Sequence, residues 1–124
     1  MSGPLVIRQQ PTAGDIGAID GQLTDAFAQM RSAVLDGRPV VVVLEDRDLL
    51  GQGHPADAAV ATALLGIVRA FALEGARDGW RVNAVARRGE DAPVDDAIGG
   101  VLAVPTLSGQ LIRLGTEHLG KVVV

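Results

Sequence analysis

The chain has 124 residues, enough for one domain and too few for two. Hydrophobic residues make up 48% of it and aromatic residues only 2%, so the core must come from Val, Leu, Ile and Ala around the three rings of Phe27, Phe71 and Trp80. A net charge of −4 with scattered basic residues argues against a nucleic-acid partner, and the lack of cysteine excludes disulfides and thiolate chemistry. The start Met1-Ser2-Gly3-Pro4 has no charged, apolar leader, and a cytoplasmic location is expected.

Taken in order, the chain alternates strand and helix signals. Leu5-Val6-Ile7-Arg8 is a short apolar strand ended by Gln9-Gln10-Pro11. Thr12-Ala13-Gly14-Asp15 resembles a capping-box start, and Ile16, Ile19, Leu23, Phe27, Met30 and Val34 follow at the spacing of an amphipathic helix that Gly37 ends. Val40 to Leu44 is an unbroken aliphatic run, the mark of a strand buried on both faces. Residues 45–53 read as a loop. His54-Pro55 opens a second helix reaching about Ala76, with Gly75 and Gly79 as stop signals. Arg81 to Ala86 is a third strand, 87–93 a polar loop, 95–102 a weak helix and 110–114 a last strand, with a tail ending Lys121-Val122-Val123-Val124. This order predicts right-handed crossovers and a parallel sheet.

The second helix carries a further signal. Between Ala56 and Glu74 its only polar residues are Asp57, Thr62, Arg69 and Glu74, and at about 100° per residue these define no single wet face. Asp57 and Arg69 interrupt the apolar run and its bulk is alanine, which argues for a buried helix rather than a membrane span. Its small residues, among them Ala58, Ala59, Ala63, Gly66 and Ala70, admit close approach by another helix, so an oligomer interface is expected, with Leu65 and Gly66 as the positions to perturb. Burying even four Leu, Val or Ile side chains there contributes roughly 6–12 kcal/mol before ordering costs.

Few residues suggest chemistry. Glu45, Asp46 and Asp48 follow a parallel strand at the edge where ligands sit in open α/β sheets, and with Asp57 they are candidate oxygen ligands for Mg²⁺; a solvated acidic loop partly neutralised by Arg47 is the plainer reading. His54 lies three residues before Asp57, but no nucleophile accompanies the pair, and a helix cap is the simpler role. Ser108 belongs to a turn, His118 to the tail, and Arg87-Arg88 either bind an anion or pair with Glu90 and Asp91.

Leu65 to Glu74 followed by Gly79-Trp80-Arg81-Val82-Asn83-Ala84-Val85 resembles the short-chain dehydrogenase/reductase family. Gly37-Arg38-Pro39 resembles the start of that family's serine-bearing strand, and Ser108-Gly109-Gln110 with Leu111 to Gly115 its closing strand. The likeness covers about residues 15–120, in the order of the family's C-terminal half. It implies that the catalytic Tyr and Lys positions fall on Asp57 and Ala61 and the serine position near Leu44, while the chain has no tyrosine and its only lysine is Lys121. It implies a structural role for Asn83, and it implies that the helices matching 15–36 and 55–76 pair across subunits. The family's glycine-rich cofactor turn has no counterpart at Ala13-Gly14-Asp15-Ile16-Gly17.

The sequence therefore predicts an α/β, truncated Rossmann-like domain of about four mostly parallel strands with two long helices. No catalytic, cofactor-binding or metal-binding residue is assigned. The expected function is that of a non-catalytic short-chain dehydrogenase-like subunit, a pseudoenzyme, either homo-oligomeric or paired with a full-length short-chain dehydrogenase. The alternatives are an oxidoreductase completed by a partner that supplies the NAD(P) half, and a small-ligand or metal site at the Glu45–Asp57 sheet edge.

Overall fold

The aliphatic runs do become strands, and all of them lie side by side in one sheet. In the computed structural model, which describes residues 3–115, β1 (Leu5–Arg8), β2 (Val40–Glu45), β3 (Val82–Arg88) and β4 (Leu111–Gly115) form a parallel sheet in the order β1-β2-β3-β4. Helices α1 (Ile16–Leu35), α2 (Asp46–Leu49), α3 (Pro55–Glu74) and α4 (Val94–Leu102) connect them. The architecture is the truncated Rossmann-like α/β fold that the sequence predicts. His118 and the tail that ends at Lys121 to Val124 lie outside the described residues.

Alternation along the strands divides the core in two. Val40, Val42, Leu44, Val82, Ala84 and Ala86 face α1 and α3, where they meet Met30, Val34, Val60, Leu64 and Val68. Val41, Val43 and Val85 face the other way and are covered by Val94, Ile98 and Val101 of α4. β2 is thus buried on both faces, as its composition predicts. The connections β1-α1-β2 and β2-α3-β3 lie on one face, and β3-α4-β4 steps in the same direction along the sheet with its helix on the other. The third crossover therefore has the opposite hand to the first two, which corrects the expectation of uniform handedness. The fully buried Val41, Val43 and Val85 need a cover on that face, and α4 supplies it.

Local chemistry sets the helix ends. Asp15, not Thr12, is the N-cap of α1, its carboxylate accepting from Gly17 N–H at 2.9 Å. Thr12 instead begins a turn through Ala13 and Gly14, both at positive φ, closed by Asp15 N–H on the Thr12 carbonyl at 3.0 Å. His54 caps α3, with Nδ1 accepting from Ala56 N–H at 3.0 Å, and Pro55 takes the first helical position. Arg81 Nη2 caps the other end of α4, donating to the carbonyl of Leu102 at 2.7 Å.

Two predicted boundaries move, and one predicted face is less buried than expected. The loop 45–53 contains the single turn α2. β3 runs two residues past Ala86, through Arg87 and Arg88. The α1 stripe is less uniform than its spacing suggests, since Ile16 is 80% exposed and Phe27 50%.

Candidate functional site

Two regions present chemistry or contact surface to the surroundings. The first lies at the C-terminal ends of β1 and β2, the end where parallel α/β sheets hold ligands. Gln9 follows β1 and is buried. Its Oε1 accepts from Glu45 N–H at 2.9 Å, and its Nε2 donates to Asp48 Oδ2 at 2.9 Å and to the Asp57 carbonyl at 3.4 Å. One amide thus joins the ends of β1, β2, α2 and α3. Thr12 makes the neighbouring link, its N–H and hydroxyl donating to Asp57 Oδ1 at 2.8 and 2.7 Å.

These contacts move the two carboxyls apart in pKa. The Thr12 hydroxyl, then its N–H, hold Asp57 below the ordinary carboxyl value, and the nearby His54 acts in the same sense. Burial pushes Asp48 up, partly offset by the Gln9 hydrogen bond, and the charges of Asp57 and Glu45 add to the rise. An open cleft of about 430 Å³ lies against these groups, lined also by Arg8, Glu45 and Arg87.

The acidic run does not converge on one point. Glu45 accepts from Arg87 Nε at 2.8 Å. Asp46 is buried and turns the other way, bonding Arg88 Nε at 3.2 Å and Arg113 Nε at 2.8 Å, while Arg88 Nη2 reaches Gln52 at 2.6 Å. Among the described residues no group of three His, Cys, Asp or Glu side chains is placed to hold a metal ion, so the oxygen-ligand set proposed for 45–57 is not assembled. Arg87 and Arg88 pair with Glu45 and Asp46 rather than with Glu90 and Asp91, because parallel register sets Glu45 beside Arg87. Sequence reading missed Gln9 and Thr12; a polar residue directly after a strand, at the ligand-binding end of a sheet, was the available signal.

The remaining candidates have structural partners. Ser108 Oγ donates to the Trp80 carbonyl at 2.9 Å and accepts from Val82 N–H at 3.1 Å. Asn83 donates to the Leu107 carbonyl at 2.9 Å and accepts from Gln110 N–H at 3.1 Å, tying β3 to the start of β4. Both are turn and strand fasteners.

The second region is the outward face of α1 and α3, which pack side by side with the Phe27 and Phe71 rings 5.1 Å apart. Ile16, Phe27 and Leu35 on α1 and Leu73 on α3 are exposed, Leu73 by 80%. A largely apolar groove of about 360 Å³ runs between the helix ends, lined by Phe27, Leu35, Ala70, Phe71 and Trp80 together with the charged Arg31 and Glu74. α3 is long and apolar enough to cross a membrane by length and composition, and its Val60, Leu64, Val68 and Phe71 are packed in the core. Leu65 is also a core residue at 9% exposure, so it cannot report on an interface as the sequence suggested. Gly66 is exposed, and a Cβ added there meets nothing within 4 Å.

Comparison with known proteins bears on the fold. No family model matches the chain, and no curated protein does. The structure of the citronellol catabolism dehydrogenase AtuB of Pseudomonas aeruginosa PAO1 superposes with a TM-score of 0.64 at 22% identity, over 91% of this chain and 60% of that one. A short chain dehydrogenase/reductase family protein superposes with a TM-score of 0.57 at 17% identity, over 91% of this chain and 64% of that one. The chain has the fold of short-chain dehydrogenases over most of its length. It spans less than two thirds of either structure. Of the residues that the sequence resemblance singles out, Leu44 and Ala61 lie fully buried and Asp57 is held by Thr12.

Proposed function

We propose that this chain is a non-catalytic short-chain dehydrogenase-like subunit of the cytoplasm that acts through the outward face of α1 and α3, as a homo-oligomer or beside a full-length dehydrogenase. One observation carries the reading. Gly21 and Gly66 lie inside long helices, on their exposed sides, where a Cβ would meet nothing within 4 Å among the described residues. Each glycine costs a helix interior about 0.8–1.0 kcal/mol relative to alanine. Nothing in the fold requires either one, whereas a second helix approaching closely would. The same two helices leave Ile16, Phe27, Leu35 and Leu73 exposed, large apolar groups a monomer would gain by covering. The absence of catalysis is supported by three positions: Leu44 and Ala61 are buried and carry neither a hydroxyl nor an amine, and Asp57 is a carboxylate already hydrogen-bonded.

The test is the mass of the native assembly recovered from the source cells, by native mass spectrometry, with Gly66→Arg as the perturbation. A dimer, or a stoichiometric complex with a larger chain carrying Tyr-x-x-x-Lys, that falls apart in the variant supports the reading. A monomer at micromolar concentration with no companion overturns it.

A second reading has its own observation. The cleft bounded by Arg8, Gln9, Glu45, Asp48, Asp57 and Arg87 lies at the ligand end of the sheet and offers both signs of charge. A small polar ligand there would be seen as perturbed Gln9 and Arg87 side-chain resonances on titration, and flat titrations across nucleotides and small metabolites would remove it.

A further inference from the structure

The outer edge of β1 settles how far the sheet can grow. In an extended strand the N–H and C=O of one residue point to the same edge and those of the next to the opposite one. Leu5 N–H donates to the Pro39 carbonyl and Gln9 N–H to the Val43 carbonyl, each at 2.9 Å, so Leu5, Ile7 and Gln9 address β2. Pro4, Val6 and Arg8 therefore address the outside. Pro4 has no N–H to offer. The outward carbonyl of Arg8 is taken by the chain itself, accepting from Gln10 Nε2 at 3.2 Å. Gln10 is in turn clasped to α1: its N–H donates to Gln22 Oε1 at 2.7 Å, and Gln22 Nε2 donates to its carbonyl at 3.0 Å.

We infer that β1 is a closed outer edge: the Gln10–Gln22 clasp and Pro4 guard the sheet against an added strand, so that this chain associates through its helices and not by extending its sheet. An edge of four residues, bounded by proline at one end and capped by its own side chain at the other, leaves only Val6 with both backbone groups open among the described residues. Natural sheets discourage edge pairing with short strands, proline and charge, and Arg8 supplies the charge. The guard also bears on the matched dehydrogenase structures, which are longer than this chain. A partner supplying further strands would have to displace the clasp to reach this edge.

Two measurements on the full chain test the inference. Residue-resolved hydrogen exchange on the native assembly should show Val6 and Arg8 amides exchanging at least about 100-fold faster than Ile7, because their donors face solvent. Equal protection of Val6, Arg8 and Ile7 would mean that a strand already occupies the edge, and would overturn the proposal. In the second, Gln10→Ala with Gln22→Ala should create higher-mass species with newly protected Val6 and Arg8 amides. Adding Val6→Pro, which removes one outward donor and leaves the β2 ladder intact, should abolish those species. A double variant that keeps the native mass and the native exchange pattern would also overturn it. Helical assembly is read separately through Gly66→Arg, so a failure there and a failure here are distinguishable.

Discussion

Replacing Gly66 by alanine separates the stability of the chain from the stability of its assembly. The position lies in the middle of α3, exposed, with open space where the methyl would go. Within one chain the substitution should therefore be purely helix-favouring and add about 0.8–1.0 kcal/mol, the difference between glycine and alanine in a helix interior. In a domain of this size that corresponds to roughly 3–6 °C in Tm. At a close helix crossing the same methyl would intrude on the facing backbone and oppose association. Urea unfolding at submicromolar protein reads the first effect, and sedimentation velocity across a concentration series reads the second. The expected result is a more stable chain with a weaker assembly, and Gly21→Ala should behave alike. If Gly66→Ala gains stability while leaving the dissociation constant of the assembly unchanged, the glycine is not there for a partner and the argument for the interface collapses.

The buried ion pairs around Asp46 make an asymmetric prediction. Asp46→Ala leaves the buried Arg88 guanidinium without its counter-charge and should cost about 3–5 kcal/mol in urea unfolding; Arg113→Ala removes the 42% exposed partner while Arg88 keeps Asp46, and should cost about 1 kcal/mol or less. Asp48 has a raised pKa in the fold, so it favours folding fully below its ordinary value of 3.8 and loses that contribution as pH rises through the folded pKa. Asp48→Asn, which keeps an acceptor for Gln9, should raise Tm at pH 7 and leave it unchanged near pH 3, and an equal gain at both would contradict the burial argument. Asp57 runs the other way: its depressed pKa contributes stability present above 3.8 and lost as pH falls through the folded pKa, so Thr12→Val should lower Tm at pH 7 and narrow the difference in acid.

Much of this fold is written locally. The five aliphatic residues from Val40 to Leu44 announce a strand buried on both faces, and Pro55 with Gly75 brackets α3 within two residues of its observed ends. What was not legible depends on groups distant in sequence. Four residues cannot display helical periodicity, so α2 hid inside a loop. Arg87 and Arg88 read as loop because charges seldom end a central strand, and they are tolerated only because register sets Glu45 beside Arg87 and brings Asp46 within reach of Arg88. The Thr12–Asp57 contact spans 45 residues, and neither residue advertises it. The reversed third crossover was deducible in part: a β2 buried on both faces needs a cover on the second face, and the 95–102 helix was the one left to provide it.

The two regions differ in how far their groups are satisfied within the chain. At the sheet edge, groups that could have stayed free for a ligand are engaged with one another: Gln9 with Asp48, Thr12 with Asp57, Glu45 with Arg87. Such a network holds four elements in register, and each link has a structural reason that needs no substrate. On the helical face the situation is reversed. Leu73 and Ile16 are both 80% exposed, and Gly21 and Gly66 destabilise the interiors of the helices that carry them. A polar edge satisfied internally, beside large apolar side chains left exposed, is the pattern that the proposed helical association requires.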